Sequence, residues 1–424
     1  MQEQPYTSGN LSRCIELSDK CKNAILNDLA ARKDIGNKSA KKIKEGLAFN
    51  SGLKKFNLGK KQGYKFSDIS DDLIARLLAR NIKSAYPATQ SHRQFIVSNA
   101  ISIMKECLSY KIFRYDIKSF YESIDRKLLL EKLIEDGTCT WQTILLIQKL
   151  FIVLDAYDVE GLPRGFAISG ALAELRMLSF DQSLRHNEEV FFFSRFVDDI
   201  LIITSEKTSQ EAFDSLVTNA LPEELSLHEG EKRSFHEIPT IHSSKKKNAQ
   251  KQEYYTLNYL GYRIKISNNT TKDIVLGTQR REIIIDLSEN KIKKLQDRII
   301  KSFTNYIASK KSSSEFQLLK NRIRVITGNY EVRDPDTKIT IKTGIYYSYI
   351  HKNSFDDCSL IKLDKFLIRL MFSNDSKLSF RIKKSLSDKQ RKELIGYSFS
   401  LGFKNKRFHS FSYKGFETIK KVWQ

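Results

Sequence analysis

Apolar positions recur along this chain at helical spacing in several long stretches and at strand spacing in a few short ones. In residues 71–82, Leu73, Ala75, Leu77 and Leu78 form one stripe and predict a helix. Residues 93–108 predict a second helix. It leads into residues 110–115, where Ile112 among aromatic positions predicts a strand ending at Asp116. Helical patterns return over 128–154 and 168–184, separated by a glycine-bounded loop at 161–165. The run from Phe193 to Ile203 is apolar and β-prone except for Arg195, Asp198 and Asp199, which predicts two short strands with the acids at the turn between them. A helix near 210–220, a strand over 259–266 and long basic helices beyond about residue 286 complete the pattern, and no internal repeat is evident.

Composition sharpens this picture. The 424 residues are 40% hydrophobic and 11% aromatic, which is globular and large enough for two or three domains. With 72 Lys and Arg against 50 Asp and Glu, the net charge of +22 favours a polyanionic partner, nucleic acid first. A membrane surface is the competing reading, but no lipidation signal and no apolar stretch of ~18 residues occurs. The start of the chain lacks a basic-then-apolar leader, and the five cysteines are scattered, so a reduced cytoplasm is expected. Neither Cys14 with Cys21 nor the seven histidines have zinc-ligand spacing.

Residues 1–80 mix short helical patterns with a lysine-dense stretch, Lys41, Lys42, Lys44, Lys54, Lys55, Lys60, Lys61 and Lys65, interleaved with Phe49, Phe56, Tyr64 and Phe66. Such alternation suits a phosphate backbone and stacked bases, or simply a solvated surface. A basic linker, Lys245-Lys246-Lys247, precedes the 259–266 strand. In residues 291–303, Ile292, Leu295, Ile299 and Phe303 form a packing stripe, while Lys291, Lys294, Arg298 and Lys301 form an adjacent one able to meet phosphates or water.

The chemistry centres on Asp198-Asp199. Adjacent carboxylates between apolar flanks are costly to bury unless something positive sits beside them, and a divalent metal is a common solution. The alternative is an ordinary hairpin whose aspartates suit a turn. Asp116 alone reads as a helix N-cap. As a strand-end acid it would instead converge with Asp198 on adjacent strands. Two Mg²⁺ ions about 3.5–4 Å apart, bridged by such acids, would activate a primer 3′ hydroxyl and stabilise leaving pyrophosphate, which is nucleotidyl transfer.

Five segments, in order, extend this reading. They are Tyr115-Asp116-Ile117-Lys118-Ser119-Phe120-Tyr121, Gly161-Leu162-Pro163-Arg164-Gly165-Phe166-Ala167-Ile168-Ser169, Phe196-Val197-Asp198-Asp199, Leu225-Ser226-Leu227-His228-Glu229-Gly230-Glu231-Lys232 and Asn258-Tyr259-Leu260-Gly261-Tyr262. They resemble motifs A to E of the reverse transcriptase family, across roughly residues 93–266. The resemblance implies an α+β right-hand polymerase with an antiparallel palm sheet. Residues 1–85 would be a basic N-terminal region and fingers, 86–285 the fingers and palm core, and 286–424 a helical thumb and C-terminal extension.

The resemblance also implies roles. Asp116, Asp198 and Asp199, assisted by the Ile117 carbonyl, would hold two Mg²⁺ ions, with Mn²⁺ as an alternative. Tyr121 would be the steric gate against a ribose 2′-hydroxyl, with Lys118, Ser119, Phe120, Arg164 and Gly165 beside the nucleotide. Arg93, or else Lys83, would meet the triphosphate. Lys232, or its neighbour Arg233, would protonate pyrophosphate as general acid. Gly261 and Tyr262 would grip the primer, and Lys294 and Arg298 would meet primer or template. Tyr121 reads equally as a core aromatic and Lys232 as a surface lysine when taken alone. Two departures stand out: Phe196 where motif C usually begins with Tyr, and Arg164 where motif B usually has Gln.

No ribonuclease H, integrase or maturase zinc region is recognisable beyond residue 286. The chain looks most like bacterial defence-associated reverse transcriptases, the abortive-infection and related unknown-group class. That likeness implies copying of a cognate noncoding RNA from dNTPs into a DNA product during antiphage defence, with no membrane, and with room for a companion polymerase or effector and for self-association. Two other readings stay open: template-independent or protein-primed DNA synthesis by the same palm, and a non-catalytic RNA-binding module of polymerase shape.

Overall fold

The computed structural model describes residues 3–59, 61–86, 92–241, 254–272, 277–333, 340–354 and 358–423. Lys60 and Lys245-Lys246-Lys247 lie outside the described residues. The chain forms two compact units, Met1–Ile96 with Leu108–Thr240, and Val97–Cys107 with Ile241–Gln424. Among the described residues, no helix is long and apolar enough to cross a membrane.

In the first unit, β1 (Leu53–Leu58) and β2 (Lys61–Phe66) form an antiparallel hairpin within the lysine-dense stretch, where the sequence pattern gives no strand. Lysine at most outward positions masks the alternation, and the packing is left to Phe66. Its ring stacks on Phe166 at 4.4 Å and on Phe49 at 5.3 Å. The helix expected at 71–82 runs Ile69–Ala85, capped by the Asp68 side chain, and buries Leu73, Leu77 and Leu78. Its buried Asp71 accepts the Phe49 and Ser51 amides and pairs with Lys42 at 3.0 Å.

The central sheet of this unit is antiparallel. It comprises β3 (Tyr110–Asp116), β4 (Val190–Phe196), β5 (Asp199–Ser205) and β6 (Ser234–Ile238), in the order β4-β5-β3-β6. Asp116 is therefore the last residue of a strand and not a helix N-cap. The two long helical stretches are each broken. Gly137, at φ 57°, and the Thr140 cap split 128–154 into Arg126–Glu135 and Trp141–Ala156. Met177 divides 168–184 into Ala167–Arg176 and Leu178–Arg185. The 210–220 helix is observed as Gln210–Ala220.

In the second unit, the segment expected as a strand at 259–266 is a hairpin between β7 (Tyr254–Tyr259) and β8 (Tyr262–Lys272). Leu260 and Gly261 turn it with φ of 45° and 83°, the positive pair that a tight two-residue hairpin needs. Strand β9 (Gln279–Leu287) completes that sheet. The helix expected over 93–108 stops at Met104, because the next carbonyls serve other partners. Those of Lys105 and Glu106 accept from Arg281, and that of Cys107 accepts from the Ile241 amide. Helix Glu289–Ala308 buries Ile292, Leu295, Ile299 and Phe303 as the stripe predicts. A second sheet, β10 (Asn329–Arg333), β11 (Thr340–Gly344) and β12 (Phe408–Ser410), is ordered β11-β10-β12 and set among further helices. No disulfide joins the cysteines.

Candidate active site

Antiparallel register puts Asp116 directly opposite Asp199 across β3 and β5. The β4–β5 hairpin closes through Val197-Asp198, with Phe196 facing Asp199 and Val197 at φ 61°. Asp198 thus stands at the hairpin tip. The Ile117 amide donates to the Asp198 carbonyl at 3.0 Å, locking the tip to the end of β3. The motif D segment closes on the same corner: Lys118 N–H donates to Ser226 O at 2.8 Å, and His228 N–H to Asp116 O at 2.7 Å.

Charge is arranged unevenly around the three acids. Lys232 Nζ lies 2.8 Å from Asp116 Oδ1, and His228 Nε2 lies 3.4 Å from the same oxygen. Arg114 Nε donates to Asp199 Oδ1 at 3.0 Å. Burial pushes the Asp199 carboxyl up to about 6; Arg114 opposes the rise, and the charges of Asp116 and Asp198 add to it. Burial also raises Asp198, helped by Asp116 and opposed by Lys232 and Arg164. Three carboxylates, Asp116, Asp198 and Asp199, thus meet two directly paired cations, Lys232 and Arg114.

That excess suits a hard divalent cation. Among the described residues, no three His, Cys, Asp or Glu side chains group closely enough to enclose an ion by themselves. Mg²⁺ does not need such a cage, because it is commonly held by one or two carboxylates together with waters and substrate phosphates. Asp116 and Asp198 are the carboxylates that could fill that role, since Asp199 is already engaged with Arg114.

Beneath the tip, the sequence pattern gives Arg195 only as a break in an apolar run. Its guanidinium is buried, pairs with Asp181 at 2.8 Å and Glu174 at 2.7 Å, and donates to the Val197 carbonyl at 3.0 Å. Burial disfavours that charge, but the two carboxylates outweigh it and hold Arg195 protonated. Arg195, Arg114 and His228 are the site residues that sequence reasoning misses. An arginine inside an otherwise apolar strand is the one signal that pointed to any of them.

Tyr121 lies on the short helix Phe120–Ser123, which starts at Ser119 in a left-handed conformation. The Arg164 guanidinium sits over its ring at 5.0 Å and pairs with Glu122 at 2.8 Å. Burial raises the Tyr121 hydroxyl pKa. Two glycines seat the motif B loop. A Cβ on Gly161, at φ 52°, would meet Tyr121 O at 2.3 Å, and one on Gly165, at φ 104°, would meet Tyr64 O at 2.5 Å. The Tyr64 amide of β2 donates to Arg164 O at 2.8 Å, so the lysine-rich hairpin rests on this loop. Lys61 reaches Glu122 at 3.7 Å.

Arg93 is the first residue of the helix Arg93–Met104, and Lys83 lies in the last turn of Ile69–Ala85. Arg233 is engaged elsewhere, paired with Asp214 and lying over the Tyr115 ring. Gly261, Tyr262, Lys294 and Arg298 belong to the second unit. Arg298 stands over the Trp423 ring at 5.3 Å, and Lys294 is exposed.

An antiparallel sheet with carboxylates at the end of one strand and at an adjoining hairpin tip is the arrangement expected of a polymerase palm. Residues 60–264 match the family model "Reverse transcriptase (RNA-dependent DNA polymerase)", so this chain carries a reverse transcriptase family domain. The match starts upstream of the motif A to E region and takes in β2. Among solved structures, telomerase from Candida albicans in complex with the TWJ fragment of telomeric RNA is similar at 12% identity and a TM-score of 0.33. The alignment covers 96% of this chain and 60% of that one, so the chain spans about three-fifths of that telomerase chain. No curated protein matches the chain.

Proposed function

We propose that the chain is an RNA-directed DNA polymerase that adds dNTPs to a primer end by two-metal phosphoryl transfer at Asp116 and Asp198. The juxtaposition of Asp116, the Asp198 tip and Lys232 within the reverse transcriptase domain carries this reading. Asp116 and Asp198 would hold the ions, with Asp199 as the third acid, anchored by Arg114. When bound there, Mg²⁺ or Mn²⁺ supplies Lewis-acid activation of the primer hydroxyl and charge stabilisation at the leaving pyrophosphate. Lys232, half-exposed, pairs with Asp116 and would act as the general acid for the leaving pyrophosphate. The Tyr121 ring, backed by Arg164, excludes a 2′-hydroxyl. Lys118, Ser119, Phe120 and Gly165 line the nucleotide side, with the Ile117 carbonyl assisting the metals. The first 85 residues serve as basic N-terminal region and fingers, 86–285 as fingers and palm, and 286–424 as thumb and extension, with Gly261, Tyr262, Lys294 and Arg298 on primer and template.

The template we propose is a cognate noncoding RNA, and the setting bacterial antiphage defence, on the likeness of the motif A and B segments to that class. Purified chain with a primed RNA is expected to incorporate dNTPs well above NTPs. Tyr121→Ala should cut that preference by about tenfold or more, since a ring that clashes with a hydroxyl discriminates by exclusion. Equal use of NTPs by the parent protein, in a primer-extension assay, would refute the assignment.

A further inference from the structure

Outside the matched domain, the second unit carries a row of aromatic rings that no part of the proposed reaction uses. Phe403, Tyr346, Tyr347 and Phe408 follow one another with centroid separations of 5.3, 5.2 and 5.6 Å and interplanar angles of 57°, 90° and 61°. Three lysines lie on them: Lys352 over Phe403 at 5.4 Å, Lys406 over Tyr346 at 4.7 Å, and Lys342 over Phe408 at 5.8 Å. The row is at the surface, with Phe408 40% exposed, both tyrosines half-buried, and Lys342 and Lys406 exposed. Burying four large rings would be the ordinary fate of such residues, so their partial exposure in one row calls for a partner.

Charge says which partner. Segments 342–354 and 403–408 together contain Lys342, Lys352, Lys404, Lys406 and Arg407 and no acidic residue. Glu331 stands opposite Lys342 in the β10–β11 register. We propose that this row binds single-stranded RNA, bases stacking on the rings and lysines meeting phosphates. The choice of RNA over DNA rests on the polymerase reading above. Magnitudes favour the exchange. An exposed lysine over a ring shifts an equilibrium only a few-fold, whereas a stacked base contributes about tenfold or more. A base can therefore displace each ammonium, and the freed charge is then beside the phosphate.

The test is fluorescence anisotropy of a labelled oligouridine with the full chain, without dNTPs, across a salt series. Tyr347→Ser with Phe408→Ser should weaken binding by about tenfold or more, and Tyr347→Phe with Phe408→Tyr should retain it. Lys342→Gln with Lys406→Gln should reduce the log–log salt slope by about 1.4, from ~0.7 per phosphate contact. A correctly folded serine variant, judged by circular dichroism, that binds RNA as tightly as the parent overturns the proposal. Equal losses with oligothymidine overturn the assignment to RNA. Asp198→Asn separates the two claims: it should abolish incorporation and leave this binding unchanged. A parent that never incorporates dNTPs but loses RNA in the serine variant refutes the polymerase and leaves the surface standing.

Discussion

Arg195 lies in the strand leading to the acids, yet its side chain turns inward to hold Asp181, Glu174 and the Val197 carbonyl. It fixes the turn that presents Asp198. Arg195→Met would leave two carboxylates buried without a cation, and urea unfolding should show a loss of about 3–5 kcal/mol. A loss below about 1 kcal/mol would show that the clamp is not structural. His409 makes a different kind of demand in the second unit. Burial, with Arg324 and Arg407 nearby, holds its imidazole down to about 4, and Arg324 Nε donates to its Nδ1 at 3.2 Å. An unfolded histidine titrates near 6.5. Between those values the unfolded chain binds the extra proton, so this contribution is complete above about pH 6.5 and is lost as pH falls toward 4. Urea midpoints measured across that window should fall more steeply for the parent than for His409→Gln; parallel profiles would contradict it. At this scale the sequence exposed the acids well. Asp116 and Asp198 are conspicuous as carboxylates against apolar strands, whereas Arg114 and His228 matter only through a register that no local pattern encodes.

Among the elements, the β1–β2 hairpin shows what periodicity misses. Six of the twelve strand residues between Leu53 and Phe66 are lysine, asparagine or glutamine on outward positions, so the strand signal reduces to Phe66 and its stacking on Phe166. Its seat on the motif B loop depends on Gly165, whose φ of 104° and 2.5 Å approach to Tyr64 O leave no room for a side chain. Gly165→Ala should therefore unseat the hairpin. Hydrogen exchange in residues 53–66 should accelerate and KM for dNTP should rise, while protection in β3 and β5 stays as in the parent. Unchanged exchange in the hairpin would show that the loop does not hold it. Helix stripes were easier to read, as with Ile292, Leu295, Ile299 and Phe303, all buried. The break at Met177 was not, because it interrupts a helix without interrupting hydrophobicity, whereas the polar run 135–140 around Gly137 is a stop that the 128–154 pattern passes over.

For the whole molecule, five ordered segments and a net charge of +22 already pointed to a nucleic-acid polymerase, and the matched domain over 60–264 agrees with them. Order along the chain was legible because each motif sits at the end of a strand or in a turn, where residue identity is constrained by chemistry. The second unit was less so: its mixed sheet pairs β10 with β12 in parallel across nearly eighty residues of intervening chain, a contact invisible to local patterns. The most direct measurement of the central claim is primer extension on an RNA template by the parent, Asp116→Asn and Asp198→Asn proteins, with Mg²⁺ and with chelator. We predict incorporation by the parent only with the metal, and a loss of about 3 kcal/mol or more in each variant, roughly a hundredfold or greater. Incorporation that survives both substitutions, or that persists in chelator, would contradict the account.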